Sequence, residues 1–206
     1  MRHSLVTIAV GLGVVAGAYA QTAESLRTKA KAQGGEASFR LIQDYSALPV
    51  PELAQRSQVI VRGHVRAVQP HLTADESEVV TDITVTPAQV IKQDVPVTAA
   101  AKPQLLQPIV VRHVGGTVVE DGLRMSTFTN AFPIGEEFRV GEEVILFLTY
   151  HEPQNIFLLT DGPFAAFRIR EASVHRLTKE SQHYFTDNSP QPIAAFLADV
   201  QRNARK

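Results

Sequence analysis

Apolar positions in this chain change period several times, and each change predicts an element. Leu5 to Ala18 is an almost unbroken apolar run. From Val59 the period is two: Val59, Val61, Gly63 and Val65 alternate with Arg62, His64 and Arg66, as in a strand with one buried face. A second long strand is predicted over 79–91, with Thr81, Ile83 and Val85 on one face and Val80, Asp82 and Thr84 on the other. Pro87 should bend it or mark an edge. Ile109 to Val114 reads as a third strand, and Glu120-Asp121-Gly122 as a hairpin signal. Met125 to Phe132 is extended and mixed in character. Val144 to Leu148 is apolar at every position, as expected of a strand covered on both faces. Ile156–Thr160 and Phe164–Ile169 read as a last hairpin turning at Asp161-Gly162-Pro163. Helical period returns at the end, where Ile193, Phe196, Leu197 and Val200 form one stripe at i, i+3, i+4 and i+7.

Between the first apolar run and the first strand the pattern is sparse. Arg2-His3, the run, and Ala18-Tyr19-Ala20 together make the three regions of a secretory signal peptide, residues 1–20, cut between Ala20 and Gln21. The run is shorter than the roughly 20 residues of a membrane span, so no stable membrane anchor is expected. Residues 21–35 carry one large apolar side chain, Leu26. A helix there has little to bury, and a mobile leader closed by Gly34-Gly35 is the expectation. Phe39, Ile42 and Tyr45 fall three apart, which suits a short helical segment. Pro51 can open a short helix reaching Ser57. Segments 70–77 and 94–108 are polar or proline-rich and read as loops.

Roughly seven strands without βα alternation predict a mainly β fold. The expected organisation is a leader with a short helical segment over 21–52, a β-barrel domain over 53–170 and a C-terminal helical extension over 171–206. The barrel is expected to be antiparallel, closed or partly open. Two stretches support that choice. One is Ser57 to Val65 followed by Thr81 to Lys92; the other is Gly141-Glu142-Glu143-Val144 to Leu148 followed by Gly162-Pro163-Phe164 and Phe167. Their order resembles a broad group of exported bacterial proteins of unassigned function. The first half also resembles the OB-like, netrin-like barrels that include tissue inhibitors of metalloproteinases. Those inhibitors chelate zinc through an N-terminal Cys-x-Cys. This chain has no cysteine, so the resemblance implies a scaffold and not that inhibition.

Composition narrows the function classes. Without cysteine an exported chain is held by its core alone, which fits a bacterial periplasm or exterior. Thiol catalysis and thiolate metal sites are excluded. A formal charge of −1 supplies no field for nucleic acid. Tryptophan is absent, which weighs against aromatic carbohydrate platforms.

Candidate chemistry is thin. His64, His71, His113, His151, His175 and His183 include no i, i+4 zinc pair. Ser126 sits in a hydroxyl-rich stretch without a nucleophile-elbow motif. Glu136-Glu137 and Glu142-Glu143 read as charged turns guarding an apolar strand rather than facing carboxylate pairs. Gly115-Gly116 lacks phosphate-loop spacing and a following helix. Arg62, His64, Arg66, Arg112 and His113 form a possible basic binding strip on a barrel wall, where such barrels take ligands. No metal or cofactor is implied. The expected function is a non-enzymatic exported domain binding a protein, a peptide or an envelope component. The alternatives are an exported hydrolase using hydroxyl or carboxylate chemistry, and a structural envelope protein.

Overall fold

The structure, a computed structural model, describes residues 24–42, 45, 48–95, 105, 107–129, 138–177 and 189–205. The signal peptide, its cleavage point, Gly135-Glu136-Glu137, His183 and most of the 94–108 loop lie outside the described residues.

Long amphipathic strands build the larger sheet. β2 (Val59–Leu72) pairs along nearly its whole length with β3 (Val79–Gln93), and β3 with β4 (Ile109–Val114). β7 (Glu143–His151) takes the other edge of β2. β8 (Ile156–Pro163) lies beside β4 and also beside the second half of β7. β9 (Ala166–Arg170), β10 (Ser173–Arg176) and β11 (Gln191–Pro192) extend the sheet from the first half of β7. The β2–β3 ladder shifts register three times. One shift falls where Gly63 faces Pro87. Proline cannot donate to a ladder, and a Cβ on Gly63 would meet the Thr86 carbonyl oxygen at 2.5 Å. Glycine and proline here permit one bend between them.

Three further strands make a separate small sheet in the order β1-β6-β5, with β1 (Glu36–Leu41), β5 (Gly116–Glu120) and β6 (Leu123–Thr129). β5 and β6 form the expected hairpin. Asp121 and Gly122 have φ of 52° and 75°, the conformation of a two-residue primed turn. β1 runs parallel to β6.

The expected antiparallel OB-like or netrin-like barrel is therefore corrected. Five strands, β7-β2-β3-β4-β8 and back to β7, pair in a ring that is not a closed barrel. β4 and β8 are parallel and share two residue pairs, Val111 with Phe157 and Arg112 with Leu158. β7 divides its second edge between β8 and β9, from which the sheet runs outward. With the small sheet and the three α-helices among the described residues the fold is mixed, and the resemblance to that barrel group does not hold. Alternation along a strand reveals its buried face but not its neighbour or their relative direction. The expected last hairpin is corrected for the same reason. Asp161-Gly162-Pro163 continues β8, the turn falls at Phe164-Ala165, and β8 and β9 each pair with β7 instead.

The core fills the ring. Val144 to Leu148 of β7 are all fully buried. α2 (Val50–Arg56), opened by Pro51 in its first turn, adds Leu53 and Ala54. Its last carbonyls, those of Ala54 and Gln55, each accept a 3.0 Å hydrogen bond from Lys92 Nζ. α3 (Ile193–Ala204) docks its stripe on the same core, with Phe196 and Val200 buried. The Phe196 ring lies 4.9 Å from Phe167 and 6.4 Å from Phe147, centre to centre.

The N-terminal segment departs from the expected mobile leader. α1 (Leu26–Ala32) is a docked helix, capped by Ser25, whose hydroxyl accepts from the Thr28 N–H. Leu26 and Ala30 share one face and are buried with Ala37, Val79, Val118 and Met125. The stretch containing Phe39, expected to be helical, is strand β1.

Candidate functional site

The small sheet has one covered face and one open face. Alternate positions along each strand point to one face or the other. Ala37, Met125 and Val118 point towards α1 and are buried. On the other face the register sets Ser38 beside Ser126 and Ser126 beside Thr117. Thr117 Oγ1 and Ser126 Oγ share a 2.9 Å hydrogen bond. One step along the same face, Arg124 Nε lies 3.2 Å from Glu36 Oε1. One step the other way, Arg40 stands beside Phe128. A cleft of about 380 Å³ lies over this face, with Gln33 at one end and Phe128 lining the other. Its walls are hydroxyl, amide, guanidinium and carboxylate groups around one aromatic ring.

Arg27 of α1 holds the covered face in place. Its guanidinium reaches Glu76 at 2.7 Å, Glu120 at 2.5 Å and Asp121 at 3.1 Å. Glu76 is in the β2–β3 turn, and the other two are in the β5–β6 turn. These bonds raise the Arg27 pKa and hold the Glu76 carboxyl below its usual range. Glu76 also accepts the Leu26 N–H on its backbone carbonyl, at 2.8 Å.

The basic strip expected from sequence is not brought together. Arg62 and His64 lie on β2 at the level of Gln89 and Thr86, whereas Arg112 lies on β4 opposite Asp82. Gln89 is seven positions from Asp82 along β3, roughly 23 Å on an extended strand. Arg62 Nε is paired with Glu143 at 2.7 Å. Arg112 makes two bonds to Asp82, of 2.6 and 2.8 Å, which raise its pKa. Arg66 is exposed and donates to Thr86 Oγ1 at 3.2 Å. His113 follows Arg112 on β4 and so points to the opposite face. Its Nδ1 lies 3.0 Å from the Val114 carbonyl oxygen and its ring packs near Phe138. Burial lowers its pKa.

A second buried polar cluster secures the entry to α2. Asp161 accepts the Leu48 N–H at 2.7 Å. Arg176 donates to the Leu48 carbonyl at 3.0 Å and to the Phe164 carbonyl, with its guanidinium 4.8 Å above the Phe167 ring. Burial pulls the Arg176 pKa down to about 10, opposed by Asp161. Burial also pushes Tyr45 up to about 12, assisted by the Asp161 charge.

Among the described residues no three of His, Asp and Glu converge to hold a metal ion. None of the described helices is long and apolar enough to cross a membrane. Sequence reasoning named Ser126 as a candidate nucleophile but missed its setting, because β1 has no alternating signal to place Ser38 beside it. No family model and no curated protein matches the chain.

Proposed function

We propose that this chain is an exported, non-enzymatic domain that binds a protein, a peptide or an envelope component on the open face of its small sheet. The observation that carries this reading is the 380 Å³ cleft there, within the roughly 300–1,000 Å³ range of ligand sites. Its groups suit recognition, because they offer donors and acceptors in a row on a regular strand framework. Val119, beside Arg124 in the register, and Ile42, which follows β1, are exposed apolar side chains, at 65% and 73%. Export is inferred from the charged, apolar and Ala-Tyr-Ala regions of the N-terminus.

Site-directed photocrosslinking in the bacterial envelope tests this. A photoreactive residue at Ser38 should give a discrete adduct, whereas one at Ala195, exposed on α3, should not. Equal labelling at both positions, or none at Ser38, would overturn the reading.

A further inference from the structure

The two sheets end in different kinds of edge. The larger sheet ends at β11, which is two residues long and closes on Pro192 before α3 begins. Short length and proline are standard protections against strand addition. β1 has neither. Its six residues pair with β6 in unbroken register from Glu36 opposite Arg124 to Leu41 opposite Thr129. It contains no proline, and among the described residues no strand pairs with its outer edge. Ala37 is its one buried residue; Phe39 is 39% exposed.

We infer that β1 is the acceptor for an added strand: an extended, acidic peptide segment of a partner protein pairs with its outer edge beside the cleft. This inference rests on the binding reading above and specifies the partner's chemistry. Main-chain hydrogen bonding to an open edge supplies affinity, and alternate side chains supply specificity. Charge selects the occupant. On the cleft side Arg124 is paired with Glu36, while Arg40 stands four residues further along β1, beside Phe128. Arg40 has no ionic partner among the described residues, so a guanidinium is available to an incoming carboxylate. Phe39, on the opposite face of β1 from Arg40, offers apolar contact to the intervening side chains.

The test uses two blocked hexapeptides, one alternating valine with glutamate and the other valine with lysine, titrated against the full chain purified from the envelope. The acidic peptide should bind at least about tenfold more tightly at low salt, with the margin shrinking as salt rises. Amide hydrogen exchange should slow across 36–41 on binding. Arg40→Glu, at an exposed site and with its fold checked by circular dichroism, should reverse the preference. Absence of protection over β1, or a preference unchanged in R40E, would overturn strand addition. An adduct at Ser38 with no acidic-peptide binding would sink this inference and leave the binding reading standing; no adduct and no peptide binding would sink both.

Discussion

The ring and the small sheet are stabilised in different ways. In the ring, β7 alone contributes five consecutive fully buried residues, and three aromatic rings lock α3 against it. Among the described residues the small sheet's buried apolar cluster is Leu26, Ala30, Ala37, Val79, Val118 and Met125, two of them alanines. Leu72 of β2 and Leu123 pack against it partly buried, and polar attachments add to it: the Arg27 bridges, the Val79 N–H to Thr127 Oγ1 at 2.7 Å, and Thr81 Oγ1 to the Gly115 carbonyl at 2.6 Å. Apolar burial scales with area and tolerates salt, whereas exposed ion pairs are weak and screened. The molecule therefore has a scaffold and a lighter sheet attached to it, and the lighter sheet should open first.

The sharpest way to break this contrast is to remove the centre of the ring. Phe147→Ala should cost about 3–5 kcal/mol, the usual range for a buried aromatic ring, and shift the urea midpoint of the whole molecule. A loss below about 1 kcal/mol would mean that the ring is not the scaffold. Met125→Ala should cost about 2 kcal/mol, at the low end for a buried methionine. Its effect should be local, with faster amide exchange in β1, β5 and β6 and little change in β7. Uniform acceleration everywhere would merge the two regions into one cooperative unit.

Legibility followed the same division. Strands 59–65, 79–91, 109–114 and 144–148 were readable because one or both faces sink into a deep core. β1 was not, because its pattern buries Ala37 alone and leaves Phe39 exposed, so the spacing of Phe39, Ile42 and Tyr45 mimics a helix. α1 was missed because half of its buried pair is Ala30, which carries almost no hydropathy signal. The partners of the basic residues were not legible either: the carboxylates beside Arg62 and Arg112 are Glu143 and Asp82, distant in sequence and brought near by strand order. The open face needed the parallel β1–β6 register, which no local pattern encodes.

Two smaller effects sharpen the contrast. His113 lies at the junction, two residues before Gly115, and burial holds its folded pKa below the unfolded value of about 6.5. Below that pH the unfolded chain binds more protons than the folded one. The His113 contribution is therefore intact above about pH 6.5 and is lost as pH falls towards the folded pKa. Chemical denaturation at pH 8 and pH 5 should show the loss, and His113→Gln should reduce the difference. A pH response unchanged by H113Q would assign it elsewhere. Smallest of all should be Arg27→Gln. It should speed exchange at the β5–β6 turn while β7 keeps its protection, and raised salt should produce the same change in the parent chain.

One consequence concerns mechanical load. Leu48 lies between β1 and α2, with its N–H on Asp161 and its carbonyl on Arg176. Tension on β1 from the side of an attached partner would travel along the chain to this residue. There it would meet two hydrogen bonds to charged groups shielded from water, anchored in β8 and β10, before it reached α2. Shielding makes such bonds strong and costly to break one at a time. The clamp at Leu48 would thus divert load from the small sheet into β8 and β10 and keep it off the first turn of α2.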